Sequence, residues 1–321
     1  MRAAQVTAYG EAPELIELDG PGDPGPFGES IAGPAEVVEV LVAGINPVDL
    51  AIASGKFDAG APPLPYVPGT EGIGRMADGE LVWFDGSHFP WGSMAERAVI
   101  SEGSGITLPA GMGPEQAIAF GVAGLAAWLS LDWRGRLKDG ETVLVLGASG
   151  SVGQIAVQAA RMMGAGRVVG MARSESGRKR ILELGADAVI GSEGGVEEMA
   201  GRIHEATEGG PDLVIDGLWG GPAAAALKTM KPQGRLVQVG NSAGTEASIT
   251  AGPLRGGLVS ILGFRNFWAP REVRVEAFER MCSLATSGDL VLEVETLPLA
   301  DIAEVWDRQS HSPGHKLALT P

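Results

Sequence analysis

The segment Val143-Leu-Val-Leu-Gly-Ala-Ser-Gly-Ser-Val-Gly153 runs apolar, breaks into glycines and continues into the helical pattern Gln154-Ile-Ala-Val-Gln-Ala-Ala-Arg161. A strand, a glycine turn and a helix start in this order make a cradle for a pyrophosphate. Unpaired N–H groups at the helix start and the positive end of its dipole both favour an anion there. Ala148, Ser149, Gly150, Ser151, Val152 and Gly153 are the candidate contacts. Gly150 lets backbone approach the phosphates, and Gly153 lets the helix lie close on its sheet. Ala148 stands where the usual Gly-x-Gly-x-x-Gly has its first glycine. Glycine turns of this kind occur in many α/β proteins, so the surrounding sequence has to decide.

The next apolar run, Arg167-Val-Val-Gly-Met-Ala172, follows at the spacing of one βαβ unit. A chain selective for NAD(H) often ends this strand on a carboxylate that holds the ribose hydroxyls. Here the end reads Ala172-Arg173-Ser174, with Arg178, Lys179 and Arg180 close behind. A guanidinium and a hydroxyl bind a 2′-phosphate, whereas a carboxylate repels it. The residues therefore indicate NADP(H), held by Arg173, Ser174 and Arg178. The alternative for residues 178–180 is a solvated helix face.

These groups need a sheet to carry them. From about Pro114 strands and helices alternate, with strands expected at Val143–Leu146, Val168–Met171, Ala188–Ile190, Leu213–Ile215, Leu236–Val239 and Ser260–Leu262. Such alternation predicts a doubly wound parallel sheet. Residues 115–131 read as one helix behind Pro114. Earlier in the chain, short β-like runs at 37–43, 80–84 and 95–100 lie between Gly and Pro, which predicts a compact β-rich domain. The segment 20–28, rich in Pro and Gly, reads as a surface loop. A long helical pattern over 272–287, a short strand, a helix over 299–309 and a last strand at 316–319 close the chain. Two domains suit 321 residues.

A formal charge of −16 argues against nucleic acid and against an anionic membrane surface as partners. An anionic ligand needs a local basic site, which Arg173 supplies. The single cysteine, Cys282, excludes an intramolecular disulfide and a cysteine-rich zinc lobe. His88, His204, His311 and His315 are dispersed, and no metal site is expected. No leader or membrane span is visible, so a reducing cytoplasm is the expected location.

In order along the chain, Gly44-Ile-Asn-Pro-Val-Asp49, Val67-Pro-Gly-Thr-Glu-Gly72, Gly92-Ser-Met-Ala-Glu96, the glycine turn, Leu184-Gly-Ala-Asp-Ala-Val-Ile190, Asp216 with Gly234–Gly240, and Ser312-Pro-Gly-His-Lys-Leu317 make up a pattern. Each fragment alone is weak. Together the chain resembles the medium-chain dehydrogenase/reductase superfamily, and within it the zinc-independent quinone oxidoreductase-like branch. The resemblance implies a GroES-like β-rich catalytic domain (1–120 and 272–321) interrupted by an NADP(H)-binding Rossmann domain (121–271), with the active site in the cleft between them. It implies a homodimer, for which Ser260–Gly263 offers an edge strand. Zinc-dependent members have Cys where this chain has Asn46 and His where it has Thr70, which points away from zinc catalysis.

Hydride transfer from NADPH to a small-molecule electron acceptor, a quinone or an α,β-unsaturated carbonyl, is the function these features imply. The alternatives are an enoyl-thioester reductase and a non-catalytic NADPH-binding sensor or structural protein. Tyrosines of relatives are replaced by Ala51 and Phe57, which leaves Tyr66 as the candidate proton donor. Asn46 is the other catalytic candidate, orienting the nicotinamide or the acceptor carbonyl, while Asp49 is expected to fix its loop. Gly240, Asn241 and Ser242 after one strand, Gly263, Phe264 and Arg265 after the last, and Lys316 in the tail are candidate cofactor contacts. Lys316 has a second reading, a solvated lysine on an edge strand. Trp83, Phe84, Phe89 and Trp91 are candidate walls for the acceptor.

Overall fold

A computed structural model describes residues 1–21 and 34–321. Of the expected surface loop 20–28, residues 22–28 lie outside the described part. The chain forms two compact units. One comprises Met1–Val122, Glu279–Ser287 and Leu292–Pro321, and the other Ala123–Phe278 with Gly288–Val291.

The strands of the first unit are β1 (Arg2–Gln5), β2 (Glu14–Glu17), β3 (Ala35–Gly44), β4 (Glu71–Arg75), β5 (Leu81–Asp85), β6 (Arg97–Ser101) and β7 (Ile106–Thr107). The second unit holds β8 (Thr142–Leu146), β9 (Arg167–Met171), β10 (Ala188–Ile190), β11 (Leu213–Asp216), β12 (Arg235–Gln238) and β13 (Ser260–Gly263). Two tail strands, β14 (Val294–Pro298) and β15 (Lys316–Thr320), belong to the first unit.

In the second unit six parallel strands lie in the order β10-β9-β8-β11-β12-β13, so the order reverses at β8. Strand β8 reads Thr-Val-Leu-Val-Leu and is buried along its whole length. A continuous apolar run, without alternation, marks a strand covered on both faces. One core packs Leu144, Leu146, Val169, Val214 and Leu236 against Met199, Ile203 and the alanines of the helix Gly220–Thr229. Strand β13 is the outer strand of this sheet.

In the first unit the main sheet runs β14-β15-β3-β4-β5-β7, with β6 paired to the other stretch of β3. Ten-residue β3 serves two ladders: Ala35–Glu39 pairs with β6 and Glu39–Gly44 with β4. A register shift between Val40 and Val42 bends it between the two. Strand β15 pairs antiparallel with β3 at Ala43 and Gly44 and parallel with β14. It therefore lies inside the sheet, which overturns the solvated edge-strand reading of Lys316. Residues Val38, Val40, Phe84, Ile100, Leu317 and Leu319 share one core with Ile302, Val305 and Trp306.

The single helix expected over 115–131 is broken. Pro114–Ala117 is helical, Ile118–Phe120 forms a 3₁₀ turn, and the helix restarts at Val122 and runs to Leu129. The break falls at Gly121, whose ψ is −120°. A Cβ there would collide with Trp83 Nε1 and Glu71 Oε2. The chain thus passes hard against a buried carboxylate, and the interruption frees the amide of Val122 to donate to it.

Candidate functional site

Two sets of polar groups stand out, one in each unit. In the second unit the turn after β8 enters the helix Ser151–Met162 through Gly150, its extended N-cap. Gly147 has φ +73°, a left-handed conformation that favours glycine. At Gly153 a Cβ would lie 2.5 Å from Ala148 Cα and from the Gly147 carbonyl oxygen, so only glycine permits this helix–turn contact. At Gly150 a Cβ would meet only the Gly147 carbonyl oxygen, at 3.6 Å, and would otherwise project into open space before the helix start. That open space and the N–H groups facing it fit a phosphate. Ser149, Ser151 and Val152 are half-buried around the turn, while Ala148 is fully buried and packs on Gly170. Ala148 shapes the turn from below, and its side chain is closed off from any ligand.

At the end of β9, Arg173 and Ser174 are both exposed. Ser174 caps the helix Glu175–Glu183 by accepting from the Gly177 amide at 3.1 Å. Gly177 in turn lies over Ser149, so this strand end and the glycine turn are neighbours. Arg178 donates to the carbonyls of Ala172 at 3.2 Å and Arg173 at 2.9 Å. Its guanidinium clamps the strand end, and Arg173 is exposed beside it.

Gly240, Asn241 and Ser242 follow β12. Ser242 donates its hydroxyl to the Gly217 carbonyl at 3.1 Å. Asp216, at the end of β11, ties the neighbouring loop: its Oδ1 accepts from Leu218 at 2.9 Å and Trp219 at 2.8 Å. Its Oδ2 is buried without a partner among the described residues. Burial pushes the Asp216 carboxyl up to about 6, against the lowering effect of the Trp219 and Leu218 amides. In the sequence Asp216 stands only as part of the family pattern, and its support of these loops is not evident there. The signal was a carboxylate closing the apolar run Leu213-Val-Ile-Asp216. After β13, Gly263 is exposed and its carbonyl accepts from Arg134 at 2.9 Å. Phe264 is buried, edge-on to Trp133 with centroids 6.3 Å apart, and Arg265 is half-buried.

In the first unit, Asn46, Glu71 and Lys316 form a closed network. Lys316 is 2% exposed, Glu71 0% and Asn46 4%, so all three are withdrawn from water. The Lys316 ammonium donates to Glu71 Oε1 at 2.5 Å, Asn46 Oδ1 at 2.7 Å and the Ile45 carbonyl at 3.3 Å. Asn46 Nδ2 donates to Glu71 Oε1 at 2.9 Å. Glu71 Oε2 accepts from the Val122 amide at 2.6 Å and the Trp83 indole at 3.1 Å. One carboxylate thus gathers four donors from four separate chain segments. The amide of Asn46, a catalytic candidate, is engaged at both ends, and every acceptor of the Lys316 ammonium is in the first unit.

Asp49 is also buried; its carboxylate accepts from the amides of Asn46 at 2.8 Å and Thr70 at 2.9 Å. Burial raises its carboxyl to about 6 in spite of these bonds. Tyr66 is 5% exposed and its hydroxyl has no hydrogen-bond partner among the described residues. Burial and the nearby Asp49 push its phenol up to about 12. Trp83, Phe84 and Trp91 are at most 2% exposed and belong to the interior, which corrects their assignment as acceptor walls. Phe89, 39% exposed, is the one of the four that reaches the surface. Among the described residues no group of three or more His, Cys, Asp and Glu side chains is placed to hold a metal, and no helix is long and apolar enough to cross a membrane.

Comparison with known proteins agrees with this architecture. Residues 151–281 match the zinc-binding dehydrogenase family. Over 253 residues the chain is 31% identical to the quinone oxidoreductase of Rattus norvegicus, covering 75% of this chain and 73% of that one. It is 28% identical over 279 residues to prostaglandin reductase-3 of Mus musculus, covering 80% and 71% of the two chains. A solved quinone oxidoreductase of Pseudomonas syringae superimposes with a TM-score of 0.85 at 26% identity, covering 100% of this chain and 99% of that one. The quinone oxidoreductase of Thermus thermophilus, solved alone and with NADPH, superimposes at 0.78 with 28% identity, each chain covered in full. With its six-stranded parallel sheet, its glycine turn and this likeness along most of its length, the chain belongs to the quinone oxidoreductase-like branch of the medium-chain dehydrogenase/reductase superfamily.

Proposed function

We propose that this protein is an NADPH-dependent reductase of quinones or α,β-unsaturated carbonyls that works without zinc. The observation that carries the cofactor is the strand end: exposed Arg173 and Ser174 beside the glycine turn, with no carboxylate between them. The NADPH complex of the Thermus relative supports the same reading. When bound, NADPH supplies a hydride from its nicotinamide. The protein's residues bind and orient: Gly150 and the amides at the helix start take the pyrophosphate, Arg173 and Ser174 take the 2′-phosphate, and the loops after β12 and β13 frame the nicotinamide end.

The acceptor gains two electrons with the hydride and one proton. A phenol held near 12 donates a hydrogen bond and is a poor acid at neutral pH, so water is assigned the proton and Tyr66 the hydrogen bond. The donor set around Asn46 and Glu71 does not fit zinc. An ammonium already lies against Glu71 Oε1, and a dication added beside it would be repelled in a buried site. Quinones and enones are electron-poor enough to accept hydride without a Lewis acid.

Calorimetric titration of chelator-treated protein with NADPH and NADH tests the reading. NADPH is expected to bind at least about tenfold tighter, equivalent to about 1.4 kcal/mol, and Arg173→Ala should erase that preference. Equal affinity for the two nucleotides would refute the phosphate assignment.

A further inference from the structure

The first unit contains a half-open cavity of about 130 Å³ whose lining includes Asp49, Ile52, Pro62, Tyr66, Thr70 and Phe89. An apolar cavity of about 150 Å³ holds benzene, so this one accommodates roughly a single six-membered ring. Its walls are mostly apolar: Ile52, Phe89 and several prolines. No lysine, arginine or histidine lines it, and Asp49 does, so it is unsuited to a carboxylate or phosphate. Each oxygen of Asp49 already accepts a backbone amide, and the Ser87 hydroxyl already donates to the Gly69 carbonyl at 3.0 Å.

The Tyr66 hydroxyl differs from these. It belongs to a side chain that lines the cavity, it is buried, and, like the Thr70 hydroxyl in the same lining, it has no hydrogen-bond partner among the described residues. A buried hydroxyl left unsatisfied is costly, and an oxygen acceptor brought by a ligand removes that cost. Its phenol stays protonated across the neutral range, so it remains a donor. Apolar walls, two unpartnered hydroxyls (Tyr66 and Thr70), no cation and room for one ring together describe a small neutral carbonyl compound.

We propose that this cavity seats a neutral, single-ring carbonyl acceptor, whose oxygen takes the hydrogen bond of the Tyr66 hydroxyl. The proposal rests on the reductase reading above and adds the size and charge class of the acceptor. NADPH oxidation is followed with cyclohex-2-enone, 1,4-benzoquinone and the three-ring phenanthrenequinone. One-ring acceptors are expected to lose about five- to tenfold in kcat/KM, mainly through KM, in Tyr66→Phe. Ile52→Phe fills the cavity and should remove their turnover, with NADPH affinity by calorimetry unchanged. One-ring acceptors that react equally well in Tyr66→Phe, or a three-ring acceptor that outruns them tenfold, would overturn the proposal and leave the reductase reading standing. If wild-type protein reduces none of the three, the reductase reading falls. The cavity is then tested alone by ligand-detected NMR with cyclohexanone. A saturable signal that disappears in Tyr66→Phe keeps it as a carbonyl site; no signal means it holds only solvent.

Discussion

Replacing Lys316 by Met removes one charge from the most enclosed polar cluster in the molecule. Met preserves most of the volume of the lysine stem, so the loss is electrostatic. Glu71 would keep the Asn46, Val122 and Trp83 donors but lose its counter-charge at 2.5 Å, and Asn46 Oδ1 would lose its donor at 2.7 Å. Breaking a buried ion pair costs about 3–5 kcal/mol because the remaining charge stays out of water. Three surviving hydrogen bonds place this case near about 3 kcal/mol, which for a unit of this size lowers Tm by about 6–12 °C. The double variant Lys316→Met/Glu71→Gln should recover part of that loss. A glutamine at 71 keeps an oxygen for Val122 and Trp83 and presents an NH₂ to the Asn46 Oδ1 that lysine vacated, while giving up the bond from Asn46 Nδ2. The assay is thermal unfolding followed by circular dichroism, completed as a double-mutant cycle. A Lys316→Met shift below about 2 °C, or a double variant as unstable as the sum of the singles, would refute the keystone role of the pair.

Two further predictions concern the second unit. Folding raises the Asp216 carboxyl from 3.8 to about 6, so the folded protein holds the proton more tightly than the unfolded chain. Its contribution to stability is full below about pH 4 and is lost as pH rises through about 6. It amounts to at most about 3 kcal/mol at 1.36 kcal/mol per pH unit. Wild type should therefore gain stability relative to Asp216→Asn between pH 7.5 and 4.5, as read from urea midpoints; parallel midpoints would contradict this. Gly150→Ala and Gly153→Ala should separate binding from folding. The first leaves Tm within about 2 °C but weakens NADPH at least about tenfold, since its methyl enters the space before the helix start. The second, clashing with backbone at 2.5 Å, is expected to lower Tm by several degrees as well.

The Rossmann strands were readable because a sheet covered on both faces writes itself as unbroken apolar runs, as in Thr142–Leu146. The glycine turn was readable because its needs are local: a positive φ at Gly147 and close approach at Gly153. What escaped was non-local. The break at Gly121 is imposed by Trp83 and Glu71, which lie far away in sequence. The aromatic run Trp83-Phe84 looked like a ligand wall, and the structure uses it as core. The Glu71 network draws on residues 45, 46, 71, 83, 122 and 316, and no window of sequence contains them together. A hint was nonetheless present. Glu71 begins the strand Glu-Gly-Ile-Gly-Arg and Lys316 begins Lys-Leu-Ala-Leu-Thr. A charge entering a buried strand needs a partner of opposite sign, and two such strands invite pairing.

The register of β15 on β3 also sets an order of events during synthesis. Glu71 leaves the ribosome long before Lys316, with the whole six-stranded parallel sheet translated in between. Until the final strand emerges, the first unit has a carboxylate committed to its interior with no counter-ion, and one side of β3 with no neighbour. The sheet from β8 to β13 meets no such delay, since its strands follow one another within a single stretch of chain. The parallel sheet in the middle of the chain thus has all its strands before the sheet at the beginning has its own. A chain that ended a few residues before Lys316 would hold every strand of the parallel sheet, while the first unit would lack β15 and the counter-ion of Glu71.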